Sequence, residues 1–471
     1  MKIFSLNRAL TLSGLSFFLL LAGCDTIKRA KLAQESVRDS SNGISAGEGR
    51  RVNLAGAGLP GYISFALTNR PEIASAKLAV SNAVLSLRAI SGDRELHISA
   101  GADWSRGSVN RTGHFSWRTE ENPFASSLSL DLLVYDFGRI DAREEAARWE
   151  LVSAQSALAE RKLEVFGEVS KSYFQLLQSD ALLEVARTNE FQHLEHLRQA
   201  EQLFDAGEAV KLDVLKARYD LSGAHLAVIN ASNAVSVAAS SFLRSLGLQV
   251  DGYVREDVIP LVKGAFDANL SNAIFKVSSG KAGDMLATAR ITSPALVALR
   301  TKLNAASSKV DYAIADLFPE LTFSSSLAFA DPVWNWSWGF RAVQSVFQGY
   351  KKTIAVDQAV LAMKAAREDV SKAEQDLSHS LATAVSTRDD ALESYKTAVV
   401  QVAQAVENLD NVNESYKVGT ASRIDFTDAA ADFATALGTK VKAYYAGQMA
   451  EVEVIRLLGS LPARETGTME E

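Results

Sequence analysis

The chain has 471 residues, 47% of them hydrophobic, which is enough to bury a sizeable core and to form two or three ordinary domains. Lys and Arg total 49 against 56 Asp and Glu; the net charge of −7 and pI near 5.6 exclude a broad phosphate-backbone binder, so nucleic acid is not an expected partner. The single cysteine excludes a disulfide framework and a cysteine-based metal site.

Lys2 and Arg8 precede an apolar stretch from Leu15 to Leu21 that is too short to cross a bilayer, so residues 1–23 are expected to be a secretory signal. It ends in Leu21-Ala22-Gly23-Cys24, which resembles the lipobox of bacterial lipoproteins; Cys24 is then the expected lipidation site and mature N-terminus. Its attached acyl chains would anchor the protein to outer-membrane lipid. Asp25, next in line, is an inner-membrane retention signal in enteric bacteria, but the strands read below need an outer membrane to fold into. Residues 24–58, with Ser40-Ser41-Asn42-Gly43 and Gly47-Glu48-Gly49, read as a polar tether. Past residue 23 no uninterrupted apolar run is long enough for a spanning helix, although the mean hydropathy of +0.01 is high for a water-soluble protein. Any crossing is therefore expected as strands.

The body reads as two copies of one unit, residues 59–247 and 293–459, joined by a connector at 248–292 and followed by a polar tail at 460–471. In the first copy Pro71 opens a helix running to about Ile90, strand-like stretches follow at His97 to Arg106 and Ser126 to Asp136, and a proline-free run covers 139–205. A return helix lies near 208–246. The connector suggests an extended Val254 to Leu261 and a short helix from Ala268 to Lys276. In the second copy Pro294 opens a helix to about Asp316, strands are expected at Glu320 to Ala330 and Asn335 to Phe347, and a second proline-free run covers 350–416, with a return helix at 420–458. Landmarks recur in order: Pro71 and Pro294 lie 223 residues apart, Gly138 and Gly349 lie 211 apart, and Gly207 with Asp213 matches Gly419 with Asp425 at 212. Leu246-Gly247 matches Leu458-Gly459 at the same 212.

The two proline-free runs are rich in Ala, Leu, Val, Glu, Lys and Gln and predict helices on the order of 100 Å long. In the second, Tyr395, Val399, Val402, Val406, Leu409, Val412 and Tyr416 recur at three- and four-residue spacing, the seam of a rod packed lengthwise on neighbours. Trp104, Trp117, Trp334, Trp336 and Trp338 gather in the strand regions. Four strands are too few to close a barrel, so a lipid-facing sheet requires copies to combine, and a homotrimer with twelve strands is the natural solution.

Two tandem helix, hairpin and long-helix units behind a lipobox resemble the TolC-type outer-membrane factors over residues 59–460. The resemblance is most specific in the helical turns Phe204-Asp205-Ala206-Gly207-Glu208-Ala209-Val210-Lys211-Leu212-Asp213 and Tyr416-Lys417-Val418-Gly419-Thr420-Ala421-Ser422-Arg423-Ile424-Asp425-Phe426, and in Val134-Tyr135-Asp136-Phe137-Gly138-Arg139. It implies a mainly α fold with a small β part: a long antiparallel α-helical barrel plus a twelve-strand β-barrel formed by a trimer, four strands per chain. It also implies an exit duct across periplasm and outer membrane for a tripartite efflux pump or type I secretion system, with a periplasmic adaptor and an inner-membrane transporter as partners. On this resemblance the periplasmic gate falls on Asp425, Asp428, Tyr416 and Asp213. The family's gate arginine is replaced by Ala421, and Arg423 is the candidate substitute.

Gly207 and Gly419 suit the left-handed residue that ends a long helix, and Asp213 and Asp425 sit where a carboxylate favours the next helix's dipole; capping alone is the plain alternative for both. His193 and His196 stand three apart beside Glu190 and Glu195, a spacing that fits a metal but reads more simply as a solvated helix surface. No Walker A motif appears, and neither cofactor nor catalytic site is expected. The alternative function, a lipid-anchored periplasmic coiled-coil adaptor or scaffold, shares the long helices but has no use for the two hairpins.

Overall fold

The computed structural model describes residues 26–35, 37, 58–104, 108–109, 118–119, 124–207, 210–248, 282–330, 333–345, 347–418 and 420–459. The expectations for Cys24, Trp117, Gly419, the connector segments Val254 to Leu261 and Ala268 to Lys276, and the tail lie outside these residues.

The helices in chain order are α1 (residues 26–35), α2 (Gly58–Asn69), α3 (Pro71–Gly92), α4 (Arg139–Asp205), α5 (Lys211–Ser245), α6 (Ala282–Thr292), α7 (Pro294–Ala315), α8 (Lys351–Lys417) and α9 (Arg423–Leu458). The strands are β1 (His97–Trp104), β2 (Ser108–Val109), β3 (Arg118–Thr119), β4 (Phe124–Tyr135), β5 (Glu320–Ala330) and β6 (Val333–Val343). The two proline-free runs are continuous helices of 67 residues each. α1, in the segment read as a tether, is exposed along its length. α6, within the stretch read as connector, is the counterpart of α2: each is a short helix ending at the joint before a proline-opened one.

One compact unit contains Arg88–Glu144 and Ser308–Ala359 and carries the sheets. β1, β4, β5 and β6 form one antiparallel sheet in that order, so its central pairing, β4 with β5, joins the two repeats, while among the described residues β1 and β6 are paired on one side only. β2 and β3 pair separately. The register sorts the side chains by face, since successive residues of a strand point to opposite sides. Ile98 and Ala100, then Leu128, Leu130 and Leu132, then Leu321, Phe323, Leu327 and Phe329, then Trp334, Trp336, Trp338 and Phe340 share one face. That face is exposed, Trp336 and Phe340 each at 66%. On the opposite face lie His97, Ser99, Ser127, Ser129, Asp131, Thr322, Ser324, Ser326, Asn335, Ser337 and Arg341. There, hydroxyls bond across strands, Ser99 to Ser129 at 2.6 Å and Ser326 to Ser337 at 2.8 Å. An apolar outer band backed by a polar inner face is the pattern of a transmembrane β-barrel wall.

Both strand-to-helix junctions turn through two successive residues at positive φ: Phe137 and Gly138 (55° and 82°), and Gly349 and Tyr350 (62° each). An aromatic residue held in the left-handed region costs roughly 1–2 kcal/mol. At the first junction the Phe137 ring stacks on Phe318, centroids 5.2 Å apart, and the Asp136 carboxylate caps α4 by accepting from the Gly138 and Ile140 amides at 3.2 and 2.6 Å. Arg139 ion-pairs with Glu320, and with Asp316 at 3.5 Å.

The second unit contains Asn53–Leu87, Glu145–Ser307 and Val360–Glu471. Its core is built twice. Tyr62 of α2 meets Phe242 of α5 edge-on at 5.3 Å and lies beside Tyr173 of α4. In the second repeat Met285 and Ala289 of α6 pack with Leu296, Leu377, Leu381 and Val454. Each return helix closes against the joint that precedes its repeat's proline. Gly247 and Gly459 take φ of 78° and 74°, and a Cβ on Gly459 would stand 2.7 Å from the Thr292 carbonyl oxygen, so glycine is required there.

α3 and α5 are long and apolar enough by length and composition to cross a membrane, a property that a search for uninterrupted apolar runs missed. Charged residues at Lys211, Asp213, Lys216, Arg218 and Asp220 open α5, so the two-faced sheet remains the stronger membrane signature.

Candidate functional site at the helical turns

Each long helix of the second unit ends near a turn that reverses the chain into its return helix. At the first turn Gly207 has φ 81° and donates its amide to the Phe204 carbonyl at 3.0 Å, the left-handed ending expected of it. α5 begins behind Val210, which offers no side-chain cap; Asp213 sits in its first turn with its amide on the Val210 carbonyl at 2.9 Å. The second turn is built differently. Ser422 and Asp425 form a capping box: the Ser422 hydroxyl accepts from the Asp425 amide at 3.3 Å, and the Asp425 carboxylate accepts from the Ser422 amide at 2.8 Å and its hydroxyl at 2.7 Å. Those Ser422 bonds hold the Asp425 carboxyl below the usual carboxylate range. Ser422-Arg423-Ile424-Asp425 carries this signal in the sequence. Thus Asp425 caps α9, while Asp213 makes no equivalent bond.

The residues assigned by resemblance divide into two groups. Asp425 and Asp428, three apart on α9, both face solvent. Tyr416, Asp213 and Arg423 lie inward together: burial raises the Tyr416 phenol pKa, Asp213 adds to the rise and Arg423 opposes it. Arg423 is not free to serve as a simple surface cation, because it donates to Asp220 of α5 at 2.9 Å, with both side chains largely buried at 16% and 20% exposure. Sequence reasoning missed Asp220. It lies seven residues after Asp213, two helical turns along the same face, which was the available signal.

The histidines correct the solvated-surface reading. His193 and His196 are buried, His196 at 1% exposure. The His196 ring stacks on Phe426 with centroids 4.4 Å apart and planes 7° from parallel, and lies 5.2 Å from the Tyr416 ring. Desolvation lowers its pKa to about 4, with His193 and Arg423 acting in the same direction and Asp220 and Asp213 opposing. They face inward because α4 turns a polar seam to the interior: Asn189, Gln192, His196 and Gln199, spaced three, four and three apart, each bury a polar atom that has no hydrogen-bond partner.

Among the described residues no group of three or more His, Cys, Asp or Glu side chains is placed to hold a metal ion. Two glycine-bearing stretches match catalytic spacings but lack the required context. Gly43-Ile44-Ser45-Ala46-Gly47 lies outside the described residues, and Gly56-Ala57-Gly58-Leu59-Pro60-Gly61 runs directly into α2 with no described strand before it.

The family model for outer membrane efflux proteins matches residues 62–248 and 285–460. The fold is similar to that of the outer membrane protein VceC from Vibrio cholerae, with TM-score 0.73 at 16% identity, covering 86% of this chain and 96% of that one. It is equally similar to the Campylobacter jejuni CmeC outer membrane channel, with TM-score 0.73 at 17% identity and 85% of each chain covered. The open state of the Neisseria gonorrhoeae MtrE outer membrane channel gives TM-score 0.67 at 18% identity, covering 85% and 88%. No curated protein matches the chain significantly.

Proposed function

The chain belongs to the outer membrane efflux protein family, and from that premise we propose that three copies form the outer-membrane exit duct of a tripartite efflux pump or type I secretion system. The observation that carries this reading is the four-strand sheet, apolar on one face, polar on the other and unpaired along β1 and β6. Joining β6 of each copy to β1 of the next gives twelve strands, removes every edge and sets the hydroxyl-rich face around a lumen. The long helices of the three copies then line a tunnel in the periplasm. Apolar positions left exposed on single helices, such as Tyr219, Leu226 and Val237 of α5, become contacts between copies. Cys24 carries the lipid anchor. The duct itself is passive; a periplasmic adaptor and an inner-membrane transporter supply coupling and energy, and the lipobox favours efflux.

Analytical ultracentrifugation of the detergent-extracted full chain should find three chains per particle, and mass spectrometry should find a diacylglyceryl group on Cys24. A monomer in membrane extracts overturns the architecture. An unmodified Cys24 overturns the anchor alone.

The gate lies at the helical turns. Asp425 and Asp428 of three copies bring six carboxylates around one axis and attract cations. The double replacement Asp425→Ala with Asp428→Ala should weaken cation preference and relieve block by multivalent cations in planar-bilayer recordings. If only thermal stability falls, the Ser422 capping box accounts for Asp425 and the selectivity ring is wrong. Tyr416, whose ring lies beside His196 and Phe426, acts as a latch through its hydroxyl.

A further inference from the structure

His196 is a titratable ring sealed in the interior where α4, α5, α8 and α9 approach one another, and neither capping nor the proposed ring of aspartates uses it. Its flat face lies on Phe426, which is itself buried with Leu409, Ala429 and Ala430 in the cluster that seats the start of α9. Its Nε2 is buried without a hydrogen-bond partner. The groups facing it are His193 from its own helix, Asp213 and Asp220 from α5, Tyr416 from α8 and Arg423 from α9. Of the two carboxylates, Asp220 is already engaged by Arg423.

We propose that His196 is a proton-operated switch for the packing of α9 against α4: the neutral ring is a flat spacer under Phe426, and the protonated ring drives the two apart. The neutral ring leaves one uncharged nitrogen unpartnered, a cost that its stacking on Phe426 partly offsets and that is smaller than the cost of burying the charged form. Protonation turns Nε2 into a charged donor that has no hydrogen-bond partner in this packing, near the Arg423 guanidinium, and a buried unpaired charge is tolerated poorly. Relief comes from exposing the ring to water, which requires Phe426 and the first turns of α9 to lift. Because the folded pKa of about 4 lies below the ordinary value of 6.5, the closed packing binds fewer protons than the open form. Its stability is therefore full above pH 6.5 and falls as the pH drops towards 4. At pH 5 the lifted form should gain by about 30-fold per chain relative to pH 7.5. In this window Asp425, held low by Ser422, stays ionised and does not supply the response.

The packing change stands by itself; its effect on flow rests on the proposed duct. The purified full-length protein should show, by hydrogen exchange corrected for intrinsic rates, increased opening of segment 409–430 on going from pH 7.5 to 5. His196→Phe, which keeps the stack and cannot protonate, should abolish the increase. Equal responses in the two proteins, or none in the wild type, overturn the switch. Should His196→Phe fail to fold, the exchange of the His196 Cε1 hydrogen followed by mass spectrometry in the wild type decides: a His196 midpoint that coincides with the opening of segment 409–430 supports the switch, and a His196 titration with no accompanying opening, or opening with no matching titration, overturns it. In bilayers the wild type should conduct more at pH 5 than His196→Phe does. A switch seen in exchange but silent in conductance would leave the packing device standing and remove the gate from this end of the helices.

Discussion

Leu128→Arg should abolish accumulation of assembled protein in the outer membrane, whereas Ser127→Arg, one residue earlier, should leave it near wild type. Leu128 lies mid-strand in β4, opposite Ala100 on one side and Leu327 on the other, on the apolar face. An arginine there meets hydrocarbon at about 2–4 kcal/mol per chain, and a closed ring carries the cost in every copy. Ser127, opposite Gly101 and Ala328, points to the polar face, where an arginine remains in water. Protease-protected protein in outer-membrane fractions measures both. Equal loss from the two substitutions would mean that the faces are not separated into lipid and lumen, and the sheet would need another explanation.

Breaking the pair between Arg423 and Asp220 should shift the proposed duct towards open. Removing either partner strands a charge that is less than one-fifth to one-fifth exposed, at 16% for Arg423 and 20% for Asp220. A charged hydrogen bond lost in such surroundings is worth about 2 kcal/mol, which is about a 30-fold change in the balance between closed and open. Arg423→Ala and Asp220→Ala should therefore each raise mean conductance in bilayers and sensitise cells to large antibiotics that the outer membrane normally excludes. The double replacement should show much less than the sum of the two, because each already removes the same contact. The exchanged pair, Arg423→Asp with Asp220→Arg, should restore part of the closure. Additive effects would show that Arg423 acts through another partner.

The rods and the sheet were legible because their signals are long and repeated. Two proline-free runs with matching glycines gave helices starting at Arg139 and Lys351, and the alternation of Leu128, Leu130 and Leu132 marked β4. α6 was not legible: Ala282-Gly283-Asp284-Met285 has a glycine in its first turn, and eleven residues are too few to establish a helical period. The site was harder to read for a different reason. His193 and His196 sit among Glu190, Glu195 and other polar residues, and local polarity normally means solvent. Here the buried seam of α4 is itself polar, so hydrophobic periodicity pointed away from it. Asp220 was missed because its partner Arg423 lies 203 residues away, and only the folded chain brings them together.

The bare edges of β1 and β6 also have a consequence for the life of the chain before it reaches its membrane. On the proposed export route a new copy carries two strands that, among the described residues, are paired on one side only, beside exposed Trp334, Trp336 and Trp338, and any similar strand it meets can add to that edge. Such a copy is safe only while it is escorted or dilute. Overproduction should therefore be toxic through clumping in transit rather than through leakage, and cells should tolerate excess chain only in proportion to their supply of export chaperones.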